Sequence, residues 1–142
     1  MTRPAMETPG GAAGRPRRKL YGRRHGKRLK PSQERLLAGL LPSLRLPGVE
    51  PAENPARAPL DVAALFGDRP LWLEVGFGGG EHLVAQAAAH PEVGLIGCEP
   101  FVNGVAKALA GIAAAGVGNV RLHPGDARDL IELLPAAIAL AS

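Results

Sequence analysis

Leu71-Trp72-Leu73-Glu74-Val75-Gly76-Phe77-Gly78-Gly79-Gly80-Glu81-His82 decides the fold of this chain. A short apolar run carries a carboxylate near its end and then breaks into four glycines within five residues. A buried parallel strand hands over to a tight loop and a helix N-terminus in this way. Glycines let such a loop take positive φ and let a ligand approach bare backbone. A dinucleotide fingerprint, G-x-G-x-x-G, would need its third glycine at residue 81, which is glutamate. That ligand class is therefore disfavoured. A glycine-rich turn without a ligand is the plain alternative, and the spacing downstream argues against it.

Two further strand–helix units follow. The second strand reads Val93–Cys98 and the third Asn119–His123, with helices over about Gly80–Ala89 and Asn103–Ala115. Gly116 is expected to end the second of these helices as a left-handed cap. Pro124-Gly125 makes a turn, and Arg128 to Leu134 is expected to form a third helix that Pro135 stops. Strands and helices alternating at short spacing indicate βαβ units, an α/β class and a parallel sheet. Right-handed crossovers give the strand order 3-2-1.

Each strand delivers an acid at its carboxyl edge. Glu74 closes the first strand, Glu99 comes 25 residues later, and Asp126 comes 27 after that. Ligands of open parallel sheets sit beyond the carboxyl ends of the strands, so the three acids can line one crevice. The glycine string reads as E-x-G-x-G-x-G and resembles the loop of methyltransferases that use S-adenosylmethionine. On that reading Gly76, Gly78 and Gly80 cradle the cofactor. Glu99 is placed to accept both ribose hydroxyls and Asp126 to accept the adenine amine, with Ala127 alongside. Glu74 lies near the cationic methionyl group. Any one of these acids could instead be a helix cap or a solvated loop residue, and Asp126 in particular could cap the helix after it.

Charge is distributed unevenly. Residues 1–30 hold ten Lys/Arg against one acid, while the remaining 112 hold seven against twelve, so the tail carries +9 within a net +4. A Gly- and Pro-rich stretch this basic cannot bury a core and is expected to be disordered alone. It reads as an arm that follows phosphates, with Arg23, Arg24, Lys27, Arg28 and Lys30 as RNA-binding candidates. Tyr21 and His25 lie between them and can stack on unpaired bases. The bland alternative is a solubilising tail.

Length allows at most one domain plus a tail, divided as a basic arm (1–30), a proline-rich connector with short helices (31–70) and a cofactor-binding part (71–142). In the connector, Pro31-Ser32-Gln33-Glu34 opens a short helix through Leu41, and Asp61 to Phe66 gives another turn. The single Cys98 excludes an internal disulfide and a cysteine zinc cluster. His82 and His123 lack neighbours at ligand spacing and read as helix and strand-edge residues, so no metal is expected. No apolar run approaches the ~18 residues of a membrane span, and a cytoplasmic protein without a membrane partner is the expectation.

Glu74-Val-Gly-Phe-Gly-Gly-Gly-Glu-His-Leu, Gly97-Cys-Glu-Pro-Phe-Val-Asn-Gly-Val-Ala-Lys and Asn119-Val-Arg-Leu-His-Pro-Gly-Asp-Ala-Arg-Asp together resemble the bacterial tRNA (guanine-N7)-methyltransferases. Tyr21-Gly-Arg-Arg-His-Gly-Lys-Arg-Leu-Lys and Leu40-Leu-Pro resemble that family's opening segment. The resemblance implies a Rossmann-like class I fold, S-adenosylmethionine as methyl donor, and tRNA as partner, methylated at N7 of a variable-loop guanine. By position, Glu74, Glu99 and Asp126 correspond to the family's cofactor-binding acids. The family's catalytic Asp sits in a Pro-Asp-Pro-Trp-Pro-Lys segment after a fourth strand. Here Leu134-Pro135 is followed by Ala-Ala-Ile-Ala-Leu-Ala-Ser, so no catalytic residue is assigned. The expectation is a C-terminally truncated form lacking the fourth strand, with an apolar edge on the first. A non-catalytic nucleic-acid-binding remnant with residual cofactor affinity, or another class I methyltransferase, are the competing readings. Oligomeric state is not legible.

Overall fold

A computed structural model describes residues 26–141 of the chain, so Arg23, Arg24 and the rest of the basic stretch through His25 lie outside the described residues. The core is a parallel sheet. β1 (Leu71–Val75) is followed by helix α4 (Glu81–Ala89), β2 (Gly94–Cys98) by α5 (Val102–Ala115), and β3 (Val120–His123) by two short 3-10 turns, Ala127–Asp129 and Ile131–Leu133. Three helices precede them: α1 (Pro31–Gly39), α2 (Leu41–Leu44) and α3 (Val62–Phe66).

Four strands lie in the order β3-β2-β1-β4, all pairings parallel. The 3-2-1 order expected from right-handed crossovers is present. The fourth strand is where expectation and structure part. β4 (Ala139–Leu140) pairs with Trp72 and Leu73, and the Ala141 N–H donates to the Leu73 carbonyl at 2.9 Å. The β1 edge is therefore partly covered. The four alanines of residues 136–141 are weak strand material, but parallel pairing asks only for backbone groups. Ile138 supplies the anchor by packing against the cluster that contains Leu73 and Leu133.

β2 is buried along its whole length, and its alternation splits the core in two. Leu95 joins Leu83, Val105, Leu109, Ile112, Val120 and Leu122 under α4 and α5. Ile96 joins Leu73, Phe66, Leu130 and Leu133 on the opposite face. The proline-rich segment is part of both layers: Leu41 and Leu44 enter the first, and Leu46, Val49 and Leu60 the second. It also forms an isolated parallel bridge, Arg45 to Leu122, beside β3.

Local chemistry sets the boundaries. Pro31 opens α1, and the Gln33 side chain accepts from the Lys30 N–H at 2.9 Å. Asp61 caps α3 by accepting from Ala64 N–H. Gly116 ends α5 at φ 68°, the left-handed cap its position predicts. Buried Asn119 donates from its amide nitrogen to the carbonyls of Ala87, His90 and Val93, tying the end of α4 to the start of β2. The expected helix over Arg128 to Leu134 is replaced by the two 3-10 turns. Leu130 breaks between them at φ −137°, and a spacing of three brings both Leu130 and Leu133 inward.

Candidate functional site

The register lines up Val75, Cys98 and His123 across the sheet, so the three loops that follow begin side by side. Gly76 N–H donates to the Cys98 carbonyl at 2.7 Å, and Glu99 N–H to the His123 carbonyl at 3.1 Å. Glu74, Glu99 and Asp126 are thereby delivered to one edge of the sheet.

The glycine loop takes the conformation its composition allows: Gly76, Gly78 and Gly80 stand at φ 70°, 61° and 83°. Glu99, 8% exposed, holds it. One carboxylate oxygen accepts from Gly78 N–H at 2.7 Å and the other from Phe101 N–H at 3.0 Å. Gly104, on the first turn of α5, completes the contact from the far side, where a Cβ would run into the Gly78 carbonyl. Glu99 thus ties the loop after β1 to the loop after β2.

Glu74 is oriented by α4. The geometry fits one histidine tautomer, with Gln86 donating to His82 Nε2 (3.1 Å) and His82 Nδ1–H donating to Glu74 Oε1 (3.0 Å). His82 is a helix residue, as its spacing suggested, and its role is to fix Glu74. Glu81 on the same helix is hydrogen-bonded at 2.9 Å to the Lys107 ammonium of α5, which holds that carboxyl below its ordinary range.

Asp126 caps the 3-10 turn by accepting from Arg128 N–H at 2.8 Å, the alternative role its position allowed. The Arg128 guanidinium meets both its oxygens, at 3.0 and 2.7 Å. Ala127 beside it is buried. His123 is buried and sits 2.8 Å from an Asp129 oxygen through Nε2. Cys98 lies beneath, and its thiol is pushed up to about 12 by burial, with the charges of Asp129 and Asp126 adding to the effect. Among the described residues no group of three or more His, Cys, Asp or Glu could hold a metal ion. No helix among them is long and apolar enough to cross a membrane.

A cofactor with vicinal hydroxyls and an adenine fits this donor set. Glu99 offers acceptor capacity on both oxygens after its two backbone bonds, and bare glycine backbone lies next to it. A methyltransferase family model matches residues 68–141, which contain the whole of this arrangement. Curated tRNA (guanine-N(7)-)-methyltransferases match beyond it. That of Paracoccus denitrificans (strain Pd 1222) is 61% identical over 86% of this chain and 53% of its own length. That of Cereibacter sphaeroides is 59% identical over 94% and 56%. That of Jannaschia sp. (strain CCS1) is 58% identical over 85% and 51%.

The chain belongs to the methyltransferase family whose model it matches over residues 68–141. It spans about half the length of these curated relatives. For a member of this family, sequence reasoning named the three acids and the glycines but missed the residues that hold them. His82 reaches Glu74 and Gly104 reaches Gly78 across the fold, Phe101 holds Glu99 from two residues along, and Gln86 holds His82 within one helical turn. Of these, only Phe101 and Gly104 carried a signal, as part of the Glu-Pro-Phe-x-Asn-Gly string.

Proposed function

We propose that the chain provides the cofactor-binding half of a tRNA (guanine-N7)-methyltransferase, using S-adenosylmethionine to methylate N7 of a variable-loop guanine. The observation that carries the reading is Glu99, which at the carboxyl edge of the sheet holds the glycine loop at Gly78 with one oxygen and Phe101 with the other. The relatives' names supply the reaction.

In this reading Glu99 accepts the ribose hydroxyls, the backbone of Gly76–Gly80 lies against the ligand, and Asp126 with Ala127 meets the adenine. Glu74, held by His82, faces positive charge. When bound, the cofactor supplies an electrophilic methyl on a sulfonium. Guanine N7 carries a free lone pair, so no general base is required, and the protein's task is in-line placement and a suitable field. The basic arm, including Lys27, Arg28 and Lys30, supplies phosphate contacts.

Two titrations test this. S-adenosylhomocysteine should bind the chain at one site, and Glu92→Gln should leave that affinity unchanged. Transfer RNA affinity should fall steeply with salt, and deleting residues 1–30 should reduce the slope of log affinity against log salt by several units. Absence of saturable S-adenosylhomocysteine binding would overturn the cofactor reading. An unchanged slope would reduce the arm to a solubilising tail.

A further inference from the structure

One turn of the chain holds two things at once. Residues 99–104 grip the glycine loop through Glu99 and Gly104, as described above. The same turn also grips the end of the basic arm. Asn103 Oδ1 accepts from Gly26 N–H at 2.7 Å, and Asn103 Nδ2 donates to the Lys27 carbonyl at 2.7 Å. A carboxamide paired in both directions with adjacent peptide groups reads backbone, whatever the side chains. Gly26 also sits against the Phe101 ring, where an added Cβ would stand 2.7 Å from Cζ and 3.2 Å from Cε1. The Phe101 N–H is in turn held by Glu99.

The fold does not need this grip. α5 is anchored by buried Val105, Ala106, Ala108, Leu109 and Ile112, and Asn103 is only half-buried. Its two partners lie 77 and 76 residues away in sequence, on exposed or partly exposed backbone. Lys27 and Arg28, which adjoin the gripped peptide, are exposed. Lys27 and Arg28 thus leave the surface beside the turn that carries Glu99.

We propose that Asn103 is a positioning residue that couples the arm to the glycine loop, so that cofactor occupancy and RNA binding strengthen each other. The inference rests on the reading of Glu99 as a cofactor ligand and of the arm as an RNA contact. Ordering of the turn around Glu99 sets Phe101 and Asn103. These in turn set where Gly26 and Lys27 lie, and so where the cations meet phosphates. Reciprocity then requires RNA to raise cofactor affinity by the same factor.

The experiment measures tRNA affinity of the chain by fluorescence anisotropy, with and without saturating S-adenosylhomocysteine. Tryptic cleavage after Lys27 and Arg28 is followed in parallel. In the unaltered chain the ligand should tighten RNA binding by about fivefold or more. Asn103→Ala should bring that ratio to one and speed cleavage, while leaving S-adenosylhomocysteine affinity without RNA unchanged. Asn103→Asp keeps the acceptor and loses the donor, and should fall between. Gly26→Val attacks the grip from the arm's side, away from the core, and should reproduce the alanine phenotype. A ratio of one in the unaltered chain, or an undiminished ratio in both Asn103→Ala and Gly26→Val, would overturn the coupling. A chain that binds S-adenosylhomocysteine but no RNA would overturn the tRNA reading instead. Cleavage then decides for the grip, and equal rates in the unaltered and Asn103→Ala chains would overturn it.

Discussion

Replacing Glu99 with glutamine probes both jobs assigned to that side chain. The carboxylate is 8% exposed and accepts two backbone N–H bonds, at 2.7 and 3.0 Å. Glutamine has the same shape but one acceptor oxygen. Its amide nitrogen must face either the Gly78 or the Phe101 N–H, donor against donor. Two charge-assisted bonds, each worth about 1.5–3 kcal/mol, give way to one neutral bond of about 0.5–1.5 kcal/mol. The loss is about 2.5–4.5 kcal/mol, which a domain of ordinary stability survives. Read by urea unfolding, the midpoint should fall by roughly 1–2 M. Glu92→Gln is the control: its side chain is 66% exposed and, among the described residues, meets only His90, at 3.4 Å. It should cost under about 0.5 kcal/mol. Calorimetry on the folded Glu99→Gln variant should show S-adenosylhomocysteine affinity lower by more than about tenfold, or 1.4 kcal/mol. Equal midpoints for the two variants would refute the loop-anchor argument. A lowered midpoint with undiminished affinity would leave Glu99 an anchor and refute its role as a ligand.

Two other substitutions follow from the same region. Gly104→Ala drives a Cβ into the Gly78 carbonyl and should cost about 1–3 kcal/mol by thermal unfolding, so an unchanged midpoint would mean that the α5–loop contact yields freely. Cys98 gives a pH dependence. Its folded thiol is pushed up to about 12 from an ordinary 9.0, so its contribution is full below pH 9 and lost as pH climbs from there toward 12. At about 1.4 kcal/mol per pH unit, the chain should lose about 2 kcal/mol between pH 9 and 10.5 that Cys98→Ala does not lose. Parallel alkaline curves for the two proteins would contradict this.

What the sequence disclosed was whatever is written in contiguous residues. Leu71–Val75 and Gly94–Cys98 are short apolar runs bounded by glycine and proline, and Gly116 marks a helix end because few residues tolerate φ 68°. The acids after the strands were legible for the same reason. The helix expected over Arg128 to Leu134 failed because its leucines at 130 and 133 satisfy a three-residue repeat as well as an α-helix, and tertiary packing chose between them. The connector disclosed its helices near Pro31 and Asp61 but not its packing. That Leu46, Val49 and Leu60 enter the core depends on contacts with residues far along the chain. Asn103 pairing with Gly26, and Glu99 pairing with Gly78, belong to that same class of fact.

The three acids are not equivalent, and counting lone pairs separates them. A carboxylate offers about four acceptor sites. Glu99 uses one on each oxygen, both for backbone donors that fix its plane, and the remaining pair is free to meet two hydroxyls without rearrangement. Asp126 has both oxygens engaged by the Arg128 guanidinium, and one of them also by the Arg128 N–H. A ligand amine there competes with that ion pair, whose arginine is 55% exposed. Glu74 has one oxygen held by His82 and is matched to a cation by charge more than by hydrogen-bond geometry. Affinity should therefore concentrate in Glu99, with Asp126 tuning the base and Glu74 the charged end. On the proposed reading the anchor of the glycine loop and the strongest ligand are then one residue, so a cofactor that meets Glu99 also tightens the loop and the turn that Glu99 joins.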